Sequence, residues 1–142
     1  MRNHMTIAVT GMLWLASLSS TAQEVVNPKT DTVRWDYRRI ENRVRSEMVS
    51  IGGHFISNAG NNFVWIQNGV DRKYTFYTKS VTGNWTNAGG FGELVYRVTC
   101  NGEEGTLRLI RTSRAIIVEL DFLQPNKRTP HLYLLVNSIQ KI

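Results

Sequence analysis

The sequence predicts one mostly β domain in which seven or eight antiparallel strands form a small barrel or a sandwich. Three observations predict this class. After Met48 the chain consists of short segments in which apolar and polar residues alternate, as in strands with one buried face. Asn-Gly pairs at 68–69 and 101–102 are typical of tight hairpin turns. Most connections between the segments are short, which favours antiparallel neighbours.

The segment from residue 33 to residue 48 fits two kinds of secondary structure. Apolar residues recur there every three or four positions, as on one face of a helix, and Asp31 or Thr32 precedes the segment as a candidate cap. This longer pattern predicts an N-terminal helix from Asp36 to Glu47. The alternative is a first strand that runs on into Val49 and Ile51, because Val33, Trp35 and Tyr37 alternate with charged residues.

The rest of the chain is predicted to be strands. A proline-containing loop at Gln124–Pro130 precedes the last of them. The seven predicted strands are Gly52–Ser57, Phe63–Gln67, Arg72–Val81, Glu93–Cys100, Gly105–Arg111, Ala115–Phe122 and Leu132–Ile139. A meander of this kind closes into a barrel or folds as a sandwich. The architecture is similar to that of small exported lipocalin-like proteins by analogy only, because the early Gly-X-Trp signature of that family is missing.

The first 22 residues have the features of a cleaved export signal. Arg2 precedes an apolar run, Ile7–Leu18, and Ser20 and Ala22 have the spacing that signal peptidase recognises. The run is too short to cross a bilayer of roughly 30 Å. We therefore expect cleavage after Ala22 and an exported protein of bacterial type, periplasmic or secreted, that does not span the membrane. Residues 23–32 are then an extended lead-in to a single β-rich domain, residues 33–142.

Charge and cysteine content limit the classes of partner and of stabilisation. The chain has 17 Lys and Arg against 11 Asp and Glu, a net charge of +6. A nucleic-acid partner is not expected, because no recognised binding motif is present and the chain carries an export signal. Cys100 is the single cysteine, so an intramolecular disulfide is impossible and the core must supply the stability. A buried, unreactive thiol is expected for it.

No pattern in the sequence predicts a catalytic residue, a metal ligand or a cofactor. Glu119 and Asp121 lie two apart on a predicted strand, about 7 Å along the chain, and so share a face. Because the opposite face is apolar, we expect this pair on the solvated surface beside Arg108 or Arg97. His54 and His131 have no metal-ligand spacing with other residues. A nucleophile elbow and a phosphate loop are both absent from the sequence.

Aromatic residues are the most informative candidates for a binding site. Alternation places five of them on interior strand faces, namely Trp65, Tyr74, Phe76, Tyr96 and Phe122. Such side chains build a core and can leave a small apolar pocket in a barrel. Five others are harder to place inside, namely Trp35, Tyr77, Trp85, Phe91 and Tyr133. Exposed aromatic residues near arginines are typical of recognition surfaces.

The glycine-rich segment at residues 82–92, TGNWTNAGGFG, is longer than a hairpin requires. Its glycines permit backbone conformations that other residues avoid. One interpretation is a compact loop whose Trp85 folds back to cap the barrel. The other is a loop at the mouth of the barrel that contacts a ligand or partner through Trp85 and Phe91.

These observations favour a non-catalytic binding module for a small apolar or amphipathic ligand. The predicted ligand-binding residues are Trp65, Tyr74, Phe76, Trp85, Phe91 and Tyr96. The alternative is a protein-interaction module, such as an inhibitor, an immunity-type partner or an envelope-assembly factor, with an exposed surface of Trp85, Phe91 and nearby arginines.

Overall fold

The computed structural model describes residues 24–43, 45–69, 73–122 and 131–142, and these contain nine β-strands. The predicted signal peptide, residues 1–22, and the predicted loop at Gln124–Pro130 lie outside the described residues. The strands are β1 (Thr32–Asn42), β2 (Glu47–Val49), β3 (Gly53–Asn58), β4 (Asn62–Gln67), β5 (Lys73–Asn84), β6 (Gly92–Cys100), β7 (Glu103–Arg111), β8 (Ile116–Phe122) and β9 (His131–Lys141). The mostly β class and the seven strands predicted after Met48 are confirmed.

Eight of the strands form a closed antiparallel barrel. Each strand from β3 to β9 pairs with the next, and β1 pairs with both β3 and β9. The closing pair runs from Val33 opposite Lys141 to Asn42 opposite Leu132. β2 is an additional strand that pairs with the last residues of β1, where Ile40 faces Val49. The choice between barrel and sandwich is therefore settled in favour of the barrel.

The predicted helix from Asp36 to Glu47 is wrong, because β1 extends to Asn42 and the chain then turns into β2. The alternative first strand is correct up to Asn42, but it does not run on into Val49 and Ile51, because Val49 belongs to the separate strand β2. Two register irregularities interrupt the pairing of β1 with β9, between Asp36 and Tyr37 and between Tyr37 and Arg39. A bulge adds a residue and shifts the inward-facing positions by one. Tyr37 and Ile40 are consequently both buried at a spacing of three, which imitates a helix.

The barrel interior is filled by the inward-facing residues of every wall strand. Fully buried side chains from five strands include Trp35, Phe55, Phe63, Leu107 and Leu134. The indole N–H of Trp35 donates to the hydroxyl of Ser57 at 3.0 Å, so its polar edge is satisfied inside the core. Burial of these large aromatic and aliphatic side chains supplies the main stabilising free energy in the absence of a disulfide.

The two ends of the barrel differ. The lead-in, residues 24–31, the turn at 59–61, the loop at 85–91 and the turn at 112–115 lie at one end, which we call the closed end. There the Ala88 N–H donates to the carbonyl oxygen of Val26 at 2.8 Å, so the lead-in is fastened to the loop. The turn at 101–102 and the first residues of β5 and β9 lie at the other end, which we call the open end. Asn101 and Gly102 both have positive φ, 51° and 78°, as the predicted hairpin turn requires.

Candidate functional site

An apolar cavity of about 360 Å³ opens at the open end of the barrel. Its walls come from β4, β5, β6, β8 and β9, and its polar rim comes from the turn after β6 and from the first residue of β7. The lining residues are Trp65, Tyr74, Phe76, Cys100, Asn101, Glu103, Leu120, Phe122 and Leu132. Concave, mostly apolar sites with a few polar groups are the usual form of small-molecule sites.

Strand pairing brings the aromatic wall of this cavity together. Trp65 on β4 lies opposite Tyr74 on β5, and their ring centroids are 5.4 Å apart. Phe76, two residues further along β5, lies on the same face, and its ring is 5.5 Å from that of Phe122 on β8. Aromatic side chains of β4, β5 and β8 therefore line the cavity together.

Tyr37 fixes the orientation of Trp65. The indole N–H of Trp65 donates to the Tyr37 hydroxyl at 2.7 Å. Burial raises the pKa of Tyr37, and the hydrogen bond from Trp65 opposes that shift. Tyr37 therefore stays a neutral phenol at physiological pH. Because the polar edge of the indole is satisfied by Tyr37, Trp65 can present its apolar surface to the cavity.

Polar groups are gathered at the rim. Burial raises the pKa of the Cys100 thiol, and the nearby charge of Glu103 raises it further. Cys100 is therefore a protonated thiol at neutral pH, only 8% exposed, as the sequence predicted. Asn101 and Glu103 add an amide and a carboxylate beside the opening. A ligand in the cavity would meet apolar walls first and hydrogen-bonding groups at the mouth.

Three of the six predicted ligand-binding residues lie elsewhere in the barrel. Trp85 is at the closed end and only 2% exposed, and its indole N–H donates to the carbonyl oxygens of Asn87 and Gly90 at 2.8 and 3.0 Å. Trp85 therefore caps the barrel, as the first interpretation of the glycine-rich segment proposed, and is not part of an exposed surface. A Cβ atom at Gly92 would overlap the Trp85 ring, which explains the glycine there.

Phe91 and Tyr96 are also separate from the cavity. Phe91 is 75% exposed on the loop at the closed end. Tyr96 is buried with its ring edge-on to Phe63 at 4.7 Å, and its hydroxyl has no hydrogen-bond partner among the described residues. Burial raises its pKa to about 12. Of the predicted set, the structure therefore groups Trp65, Tyr74 and Phe76.

Six lining residues were not in the predicted set. Phe122 was assigned correctly to the interior, but Leu120, Leu132, Cys100, Asn101 and Glu103 carried no signal that distinguished them from ordinary strand and turn residues. The available signal was strand parity, since Leu120 and Phe122 alternate with Glu119 and Asp121. Placing β8 and β9 beside the cavity required the order of strands in the closed barrel, which parity does not give.

Glu119 and Asp121 lie on the outer face of β8, opposite its buried face. Arg108 donates from Nη1 to Glu119 and from Nε to Glu93, each at 2.8 Å. The His131 ring bonds the other oxygen of Glu119 at 2.7 Å. The predicted pairing of Glu119 with Arg108 is confirmed. Glu119 thus belongs to a cross-strand ion network outside the barrel and away from the cavity.

Neither a metal-binding cluster nor a membrane-spanning helix is present among the described residues. In these ranges no three or more His, Cys, Asp or Glu side chains are grouped closely enough to hold a metal ion. The same ranges contain no helix with the length and apolar character needed to cross a membrane.

Comparison of the chain with protein-family models, with curated proteins and with solved structures finds no match.

Proposed function

We propose that this protein is a non-catalytic binding module that holds a small apolar or amphipathic molecule in the cavity at the open end. The observation that carries the proposal is the cavity itself, about 360 Å³ in volume and walled by Trp65, Tyr74, Phe76 and neighbouring apolar side chains. Small-molecule sites usually have volumes of about 300–1,000 Å³ and apolar walls. The cavity lies at the lower end of that range, which favours a compact ligand.

The physical basis of binding would be removal of apolar surface from water. Each Å² of apolar surface that is buried contributes about 25 cal/mol, so a compact ligand can gain several kcal/mol. The aromatic walls are held by their neighbours, since Trp65 is bonded to Tyr37 and Phe76 packs against Phe122. Little side-chain conformational freedom would therefore be lost on binding, which favours affinity.

The polar residues at the rim favour certain chemical groups at the polar end of the ligand. Glu103 contributes a carboxylate beside the opening and Asn101 an amide. These groups suit a hydroxyl, an amine or another hydrogen-bond donor at the mouth, and they disfavour an anion close to Glu103. The proposed ligand is therefore apolar or amphipathic with a neutral or cationic polar end.

Export is part of the proposal. The apolar run and the Ser20-X-Ala22 pattern support a cleaved signal, so the module would act in the periplasm or outside the cell. A carrier or sensor of poorly water-soluble molecules fits such a compartment.

The test uses an uncharged fluorescent probe, N-phenyl-1-naphthylamine, titrated into the protein. Binding is expected to be saturable with one site, with energy transfer from the tryptophans of the barrel, Trp65 among them, to the probe. Phe76→Ala removes an aromatic wall, and Leu132→Trp fills part of the opening. Each variant is expected to weaken binding by about tenfold or more, since about 1.4 kcal/mol corresponds to a factor of ten.

Tyr77→Ala is the matched control, because Tyr77 is the next residue of β5, points outward and is 60% exposed. This variant should bind like the wild type. If all four proteins bind the probe equally, or if the wild type shows no saturable binding, the cavity is not the site.

The alternative of a protein-interaction surface has less support. That hypothesis needed an exposed Trp85, and Trp85 is buried against Trp35. Of the two aromatic residues in this loop, Phe91 is the exposed one, and a single exposed aromatic side chain is ordinary for a protein surface.

A further inference from the structure

A second concave region lies at the closed end, on the opposite side of the molecule from the apolar cavity. It is a groove of about 540 Å³ between the lead-in, the loop at 85–91 and the adjoining ends of β7, β8 and β9. We call it the Arg111 groove, after the cation in its wall. Its other walls are mixed, with the aliphatic side chains of Val26, Ile116 and Ile139 and the amide side chains of Asn87 and Asn137.

Arg111 is placed in this groove by strand register. It is the last residue of β7 and lies opposite Gly92 and Ile116. It has the same strand parity as the buried Leu107 and Leu109, so its side chain lies over the closed end of the barrel. Its guanidinium group is half-buried and donates from Nη1 to the Ala88 carbonyl oxygen at 2.9 Å. A guanidinium group has five N–H donors, so one bond to a neutral carbonyl leaves most of its capacity unused.

Arg111 has no carboxylate partner among the residues that the structure describes. Glu24 lies in the same groove, but its carboxylate is paired with Lys141 at 2.7 Å. The carboxylate of Asp36, which accepts from Ser138 in the groove wall at 3.1 Å, is paired with Arg34 at 2.9 Å. A partly buried cation without a counter-charge is unfavourable, because burial removes hydration that one carbonyl oxygen replaces only in part. An anion in the groove would supply that replacement.

We propose that the Arg111 groove binds the carboxylate of a small amphipathic monoanion. A carboxylate matches the planar fork of a guanidinium group and accepts two parallel hydrogen bonds from it. The side-chain amides of Asn87 and Asn137 provide further donors, and Val26, Ile116 and Ile139 contact an aliphatic substituent. Of the two charged residues in the lining, Glu24 is paired with Lys141, which leaves Arg111 for the ligand, so the groove suits a single negative charge.

This site is independent of the proposed function at the open end. Two sources supply the same chemistry, a free aliphatic acid and the carboxyl terminus of a peptide. The probes are hexanoate for the first and N-acetylalanylleucine for the second, with hexanamide as the uncharged analogue of hexanoate. Binding is followed by ¹H–¹⁵N NMR at the amides of Ala88 and Gly89 and at Nε of Arg111.

The expected result is a saturable shift of these resonances with one or both carboxylates, and no saturable shift with hexanamide. Tighter binding of the dipeptide would assign the groove to peptide carboxyl termini, and tighter binding of hexanoate would assign it to free acids. Arg111→Gln should weaken binding about tenfold or more, as expected for loss of a charge-assisted pair. Arg114→Gln, an exposed arginine in the turn at the same end, should leave it unchanged.

A purely structural role for Arg111, as a fastener of the loop at 85–91, predicts a different result. In that case hexanoate and hexanamide would give equally small, unsaturable shifts on the wild-type protein, and the proposal would be overturned. Arg111→Lys addresses the possibility that the glutamine variant loosens the loop, since lysine keeps a charge and a donor but not the planar fork. It should retain the fold and bind hexanoate more weakly than the wild type. Equal affinity in the two would contradict bidentate recognition by Arg111.

Discussion

The indole rings of Trp35 and Trp85 lie with their centroids 5.6 Å apart and their planes tilted by 48°. Trp35 belongs to β1, in the wall of the barrel, whereas Trp85 belongs to the loop that follows β5. Their contact joins the glycine-rich loop to the core. It closes one end of the barrel and leaves the opposite end as the place where a ligand can enter.

Replacement of Trp85 by alanine should therefore destabilise the fold. A buried Trp→Ala change typically costs about 3–5 kcal/mol in the free energy of unfolding. Urea unfolding followed by circular dichroism measures the change. Phe91→Ala is the control in the same loop, because Phe91 is 75% exposed, and it should alter stability by less than about 0.5 kcal/mol. Equal effects of the two substitutions would contradict the capping role of Trp85.

Tyr37→Phe should have a small effect on stability and a measurable effect on the cavity. The substitution removes the acceptor of the Trp65 indole N–H, which lies 2.7 Å from the Tyr37 hydroxyl. Loss of such a bond costs about 1–2 kcal/mol when the donor stays partly buried. The Trp65 ring should then lose its fixed orientation, and binding of N-phenyl-1-naphthylamine should weaken. An unchanged stability and affinity would show that the bond does not position Trp65.

His54 should make the fold less stable as the pH falls. Burial lowers its pKa below the ordinary value of 6.5, the charge of Arg34 lowers it further, and Asp36 partly opposes both. Between 6.5 and the lowered pKa the unfolded chain binds more protons than the folded one, so protons favour unfolding in this window. The stabilisation is present above 6.5 and is lost as the pH falls through the folded-state pKa.

Urea unfolding at pH values from about 7.5 down to about 5 tests the direction of this change in stability, because His54 is expected to titrate between those limits. His54→Gln should show a shallower loss of stability than the wild type over that range. A variant with a steeper loss, or with the same loss, would mean that His54 is not the titrating group.

Cys100 should report on access to the cavity. Its thiol lines the wall, is 8% exposed and has a raised pKa caused by burial and by Glu103. Alkylation by iodoacetamide requires the thiolate, so the folded protein should react about tenfold or more slowly than the protein in urea. Saturation with N-phenyl-1-naphthylamine should slow the reaction further. Intact-mass measurement over time gives the rates, and a rate in the folded protein equal to that in urea would contradict this placement of the thiol.

The strand content was predictable from the sequence because alternation and Asn-Gly turns are local signals. For β1 the local signals leave helix and strand both open, since its bulge moves Ile40 to the interior at a helix-like spacing from Tyr37. A bulge is stabilised by the neighbouring strands, which a local pattern does not contain. The closed barrel likewise depends on pairing between β1 and β9, about 100 residues apart in the chain.

The candidate site was predictable only in part. Trp65, Tyr74 and Phe76 come from adjacent strands of one hairpin, so their common face follows from parity. Leu120 and Leu132 reach the same cavity through the strand order of the barrel. Trp85 was assigned to the site because a glycine-rich loop is a frequent binding element. Its burial depends on Trp35 and on the close approach of Gly92, which are tertiary contacts.

Native mass spectrometry of the protein, purified gently from the cell envelope or medium of its source, tests the binding function most directly. The account predicts a reproducible extra mass of a few hundred daltons on the wild-type protein. Leu132→Trp, with its cavity partly filled, should lose that mass, and Tyr77→Ala should keep it. A bare mass for all three proteins, or an adduct that Leu132→Trp retains fully, would contradict a ligand held in the cavity at the open end.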